Sequence, residues 1–128
     1  MAARPGRYPC PCCGYLVFEE EPGSYDICPI CFWEDDLLQL RFADAAGGAN
    51  HVSLREGQRA YIAAGACEAR FVGYVRQPTD ADQRNLGWRL LDPARDNVED
   101  ARTVTNAAQT YPDDPTTLYY WRDEYWRR

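Results

Sequence analysis
An α+β fold is predicted: a small β-hairpin module carrying paired cysteines over residues 1–46, with an α-helical region over residues 47–128 packed on it. Three observations predict it. Five of the six cysteines lie between Cys10 and Cys31, and four of them form two CxxC pairs with 14 residues between. The stretch between the pairs is β-prone and is broken by Pro22, Gly23 and Ser24, a turn-forming run. Beyond residue 46 the pattern changes to helix caps and to apolar residues at helical spacing.

In chain order, residues 1–7 read as a loose lead-in broken by Pro5 and Gly6. Tyr8 opens a short extended piece that delivers Cys10. Pro11 sets φ for a tight turn between Cys10 and Cys13, and Gly14 supplies the left-handed position that closes it. Residues 15–18 form the outgoing strand, and residues 25–27 are expected to return beside it. Cys28, Pro29, Ile30 and Cys31 repeat the turn, but Phe32 stands where glycine is usual. A bulky residue is costly at a left-handed position, so this second turn is expected either to close differently or to use Phe32 as a cover. Two such knuckles that bring four sulfurs to one point make a zinc-ribbon, or rubredoxin-like, arrangement, and the spacing is a strong signal for a bound metal ion.

The acidic run Glu34, Asp35 and Asp36 reads as the capped, dipole-matched start of a helix through Leu37, Leu38, Leu40 and Arg41, in preference to a second metal site. Residues 44–50, DAAGGAN, read as a flexible connector. Ser53 and Glu56 form a capping box for a helix over residues 54–64, with Leu54, Tyr61 and Ala64 on one side and Gly65 as the stop. Further helices are expected over residues 67–75, with Cys67, Phe71 and Val75 aligned, over residues 94–109 after the Asp92-Pro93 opening, and over residues 116–127 after Asp114-Pro115. The aromatic and arginine-rich segment LYYWRDEYWRR is expected to dock on a core or a partner, because Asp123 and Glu124 interrupt its basic run.

Charge narrows the partners. The chain carries a net charge of −6, and residues 1–40 hold two arginines against seven carboxylates. Thiolates around a divalent ion add further negative charge, so phosphate binding is disfavoured and no nucleic-acid role is expected. The longest apolar runs fall far short of the about 20 residues needed to span a bilayer, and MAARPGRYP has no apolar signal core, so no membrane role and a cytoplasmic location are expected. In a reducing compartment, paired CxxC motifs are metal ligands rather than disulfides.

The candidate ligands are therefore Cys10, Cys13, Cys28 and Cys31, holding Zn2+ with Fe as the alternative. Cys12 is a surplus thiol, since neighbouring side chains point different ways; it reads as a small residue against the knuckle, with an accessory redox thiol as the sharper reading. Cys67 on an apolar face reads as a small buried hydrophobe. His51, the one histidine, reads as a polar loop residue, because four thiolates fill a tetrahedral site.

The motifs CPCCG, EEEPGSYDICPICFWEDD and GGANHVSL resemble the bacterial cysteine-rich CPCC family over about residues 8–78. The resemblance implies a metal-binding module with Cys10, Cys13, Cys28 and Cys31 as ligands, and supplies no reaction. No GxSxG, HExxH, P-loop or dinucleotide fingerprint occurs, and no enzyme is expected. The leading expectation is a non-catalytic zinc module that meets a protein partner through an acidic or aromatic surface. The alternatives are a rubredoxin-like iron electron carrier and an acidic, immunity-type inhibitor of a basic toxin.

Overall fold
The computed structural model describes residues 7–102 and 111–127. Its regular elements are β1 (Tyr8–Pro9), β2 (Leu16–Phe18), α1 (Leu37–Arg41) and α2 (Leu54–Ala64), with 3-10 helices at Ala69–Tyr74 and Pro115–Leu118. The α+β class holds: an antiparallel hairpin beside the cysteines, then helices.

The hairpin pairs differently from the expectation. β1 and β2 are antiparallel, with Tyr8 opposite Phe18 and a bulge before Pro9 meets Leu16, so the first cysteine pair is the tip of that hairpin. The residues expected to return beside β2 instead face the far side of the second pair: Ile27 bridges Glu34, Tyr25 N donates to Asp35 O at 3.0 Å, and Asp35 N donates to Asp26 O at 2.9 Å. Tyr25 lies at φ 62°, and the Asp35 carboxylate accepts from Ser24 N at 3.2 Å and Oγ at 2.7 Å, which turns the chain that way. Each knuckle therefore ends its own short ladder.

Asp36 caps α1 as expected, accepting from Leu38 N at 2.8 Å and Gln39 N at 3.4 Å. The Ser53–Glu56 capping box and the left-handed Gly65 set the bounds of α2. Its buried face is Leu54, Gly57 and Gln58, with Tyr61 half-buried; Ala64, assigned to that face from the sequence, is exposed.

The three later helices are corrected. Residues 67–75 give only the 3-10 helix Ala69–Tyr74, because Gly73 and the β-branched Val72 and Val75 support an α-helix poorly and Glu68 makes no side-chain cap bond. From Asp92, a closed turn replaces the helix expected from 94. Asp92 O accepts from Arg95 N and Asp96 N, while the Asp96 carboxylate is drawn back onto Asp92 N at 2.7 Å and the Arg89 guanidinium at 2.6 Å. Residues 103–109 of that expected helix, and the lead-in up to residue 6, lie outside the described residues. The segment from 116 holds one 3-10 turn and then runs extended at Tyr119, with Leu118, Tyr119, Tyr120 and Trp121 all buried. Four consecutive buried positions cannot share one helical face, and here the chain leaves the 3-10 helix at Tyr119 and turns through Tyr120 and Trp121, with Arg122 N donating to Tyr119 O at 3.2 Å.

The core runs from the cysteines through Ile30, Trp33, Leu40 and Leu54 to these C-terminal aromatics, which dock within the chain. Arg41, with no exposed side chain, joins Glu99 at 3.0 and 3.1 Å and lies 4.7 to 5.0 Å from the rings of Phe42, Tyr111 and Trp126. Among the described residues no helix is long and apolar enough to cross a membrane.

Residues 44–50, read as a flexible connector, are pinned. Gln39 is fully buried, and its Nε2 donates to the carbonyls of Ala45, Asn50 and Val52 at 2.9 to 3.1 Å. Its Oε1 accepts from Asn50 N and Nδ2 at 2.9 and 3.0 Å. Gln39→Ala is expected to lower stability by about 3 kcal/mol or more, since it orphans several buried groups at once; the urea midpoint measures it, with unchanged cysteine-cluster chemistry as the control.

Candidate metal centre
Each sulfur is delivered by backbone geometry that the residues dictate. In the first knuckle Cys10 N donates to Tyr15 O at 2.9 Å and Gly14 N to Cys10 O at 2.7 Å; in the second, Cys28 N donates to Trp33 O at 2.8 Å and Phe32 N to Cys28 O at 2.9 Å. The same two bonds recur at the same offsets. Gly14 at φ 82° and Phe32 at φ 73° hold the equivalent left-handed position, so the second knuckle closes as the first does. Phe32 bears the backbone strain and packs its ring on Phe71, 4.4 Å between centroids.

Cys10, Cys13, Cys28 and Cys31 are fully buried, with their sulfurs all within 4.8 Å of one another. Cys10 and Cys31 stand 3.5 Å apart, and Cys13 and Cys28 stand 3.7 Å apart. Four sulfurs around a tetrahedral ion with bonds of about 2.3 Å lie about 3.8 Å from each other, so this set fits such an ion. Ile30 N and Cys31 N both donate to Cys28 Sγ at 3.4 Å, which disperses thiolate charge and orients the ligand. None of the six cysteines is in a disulfide.

Burial pushes the Cys10, Cys13 and Cys31 thiols up. At Cys28 burial acts the same way but is outweighed by hydrogen bonds from the other three sulfurs and from Cys31 N, and this thiol is held well below the usual range. A divalent cation would supply the positive charge needed to ionise the buried thiols together.

The outer contacts were not legible in the sequence. Pro11 O accepts from Gln58 Nε2 at 3.0 Å and from Trp88 Nε1 at 3.1 Å, and Gln58 also donates to Tyr120 Oη at 2.8 Å. Arg84 Nε donates to Cys13 O at 3.0 Å, and Cys67 N donates to Cys31 O at 2.7 Å. Gly57 was the available signal, because glycine inside a helix is unfavourable unless something lies close. A Cβ there would stand 3.2 Å from Trp33 and 3.3 Å from Cys12 Sγ.

Cys12 is fully buried between the first knuckle and α2, and Cys67 is buried where its main chain meets the second knuckle. Burial pushes the Cys67 thiol up. His51 is exposed, with its carbonyl accepting from Gly47 N at 3.1 Å. The three acidic residues do not converge on one site: Asp36 caps α1, Asp35 is spent on Ser24, and Glu34 is held by its main chain to Asn50.

Compared with known proteins, residues 8–82 match the family model described as cysteine-rich CPCC, a span of more than half the chain that includes both knuckles, α1 and α2. No curated protein matches the chain.

Two glycine substitutions separate backbone strain from crowding at the knuckle. A Cβ on Gly14 would fall 2.4 Å from Trp88 Cδ2, whereas one on Gly65 meets nothing within 4 Å, and both residues have positive φ. Gly65→Ala is expected to cost about 1 to 2 kcal/mol for the left-handed backbone alone, and Gly14→Ala about 1 to 3 kcal/mol more for overpacking; equilibrium denaturation of the two variants checks the difference.

Proposed function
The chain belongs to the cysteine-rich CPCC family, and from that premise we propose that it is a non-catalytic protein-interaction module whose fold is held by one zinc ion in the thiolates of Cys10, Cys13, Cys28 and Cys31. The observation that carries the reading is the convergence of four buried sulfurs, at near-tetrahedral spacing, from two knuckles of the same backbone design. Bound there, zinc supplies a redox-inert crosslink between two ladders too short to persist alone. The protein's part is to present the sulfurs, screen Cys28 Sγ with Ile30 N and Cys31 N, and keep water out.

Four thiolates complete a tetrahedron and leave no place for substrate, which supports a structural ion over a catalytic one. The absence of disulfides among six buried cysteines suits a reducing compartment such as the cytoplasm. The interaction role is supported by exposed chemistry. Glu19, Glu20, Glu21 and Asp26 are exposed and form no ion pair among the described residues, while Tyr25 and Tyr74 are 59% and 72% exposed. A basic protein partner matches that charge.

Metal analysis of tag-free protein is expected to find about one zinc per chain in a colourless sample, with Cys31→Ser losing it and Cys12→Ser keeping it. A red sample with visible charge-transfer bands would replace zinc by iron and the module by an electron carrier. Chelation is expected to unfold the chain, as read by circular dichroism; a chelated sample that stays folded overturns the structural role.

The pH dependence has a definite sign. Because Cys10, Cys13 and Cys31 favour the protonated form in the ion-free cluster, binding must expel protons, so affinity falls as pH falls. Competition with a chromophoric chelator is expected to show at least about a tenfold loss of apparent affinity per pH unit below neutrality.

A further inference from the structure
Beside the second knuckle lies a depression of about 130 Å³ whose lining includes Ile27, Phe32, Glu34, His51, Glu68 and Phe71. Its aromatic side is continuous: Phe32 lies 4.4 Å from Phe71 and 5.7 Å from Tyr74, ring centroid to centroid. The left-handed backbone fixes where the Phe32 side chain leaves the knuckle, and its ring is packed on Phe71. The Glu34 main chain is likewise held, since the buried Asn50 amide grips both its N–H and its carbonyl at 2.8 Å. Its carboxylate meets no cation and no hydrogen-bond donor among the described residues.

The chain already builds one cation seat in this wall. The Arg70 guanidinium lies 4.4 Å from the Phe71 ring centroid and bonds Glu68 at 3.1 and 3.3 Å, although its side chain is 63% exposed and nothing buries it there. Phe32 and Glu34 repeat the same pair of groups, a ring and a carboxylate, without a cation of their own. We propose that this depression is a docking site for an arginine side chain of a basic protein partner, seated over Phe32 with its guanidinium on Glu34. A guanidinium suits the place better than an ammonium, because it stacks flat on a ring while its N–H groups reach a carboxylate at the edge. The net charge of −6 favours a basic partner and speeds its approach. The proposal rests on the reading of the chain as an interaction module and names one of its contact surfaces.

The test is an amide chemical-shift titration of the zinc-loaded full chain with the blocked pentapeptide Gly-Gly-Arg-Gly-Gly, and with its glutamate counterpart as control. Saturable shifts are expected at Phe32, Glu34, His51 and Phe71 with the arginine peptide alone. Glu34→Gln is expected to weaken binding by about threefold or more, as for a partly exposed charge pair, while Glu124→Gln, an equal loss of charge at an exposed residue outside the depression, leaves it unchanged. Arg70→Ala, an exposed change that does not threaten folding, is expected to open a second seat on Phe71 and Glu68. No saturation, equal weakening by both glutamine variants, or no effect of Arg70→Ala overturns the proposal. So do shifts that grow with protein concentration alone, which would make the occupant a second copy of the chain. Zinc content and circular dichroism of the same samples report the metal reading separately, so either idea can fail while the other stands.

Discussion
The meeting of four cysteine sulfurs in a space less than 5 Å across is the constraint on which the rest of the structure depends. The ladders beside it are minimal, two residues in β1 and three in β2, with a single bridge at the second knuckle. Strands of that length have no stability of their own. Other segments instead attach to the knuckles at their main-chain carbonyls: α2 and Trp88 at Pro11, Arg84 at Cys13, and Cys67, just before the 3-10 helix, at Cys31. The knuckles are thus both the metal-ligating candidates and the anchor for the later chain.

The two knuckles share a backbone and differ in the residue directly after the second cysteine of each pair, and this makes the site asymmetric. At Gly14 the missing side chain lets Trp88 lie against the backbone, so the first knuckle is covered by a distant segment. At Phe32 the side chain is present and reaches outward to Phe71 and Tyr74. One side of the cluster is consequently sealed into the core, and the other carries an aromatic surface rimmed by Glu34 and Glu68.

Local chemistry decides the part of the structure that was legible in the sequence. Paired cysteines with proline and glycine at fixed offsets specify a knuckle whatever surrounds them, and Ser53, Glu56 and Gly65 fix both ends of α2 because caps act within a turn. The capping role of Asp36 was legible for the same reason. The hidden part depends on distant partners. Gln39 and Gln58 look like ordinary surface residues of a helix, yet both are buried hubs whose acceptors lie in other segments. The partner of β2 was not legible because Pro22, Gly23 and Ser24 mark a reversal without saying which strand it serves. Beyond residue 93, alanines and aromatics at roughly helical spacing imitated helices, while the four consecutive buried residues 118 to 121 are served by a chain that leaves its 3-10 turn at Tyr119 and turns again.

That C-terminal segment has a consequence for how the molecule is made. A chain grows from its N-terminus, so both knuckles emerge from the ribosome well before Leu118, Tyr119, Tyr120 and Trp121 are translated. Until those residues arrive, the apolar hollow they fill stands open beside the cysteines, and Gln58 lacks the Tyr120 hydroxyl. A nascent chain can therefore gather its sulfurs early but cannot close its interior until late, and the interval between the two is when it most needs shelter from aggregation.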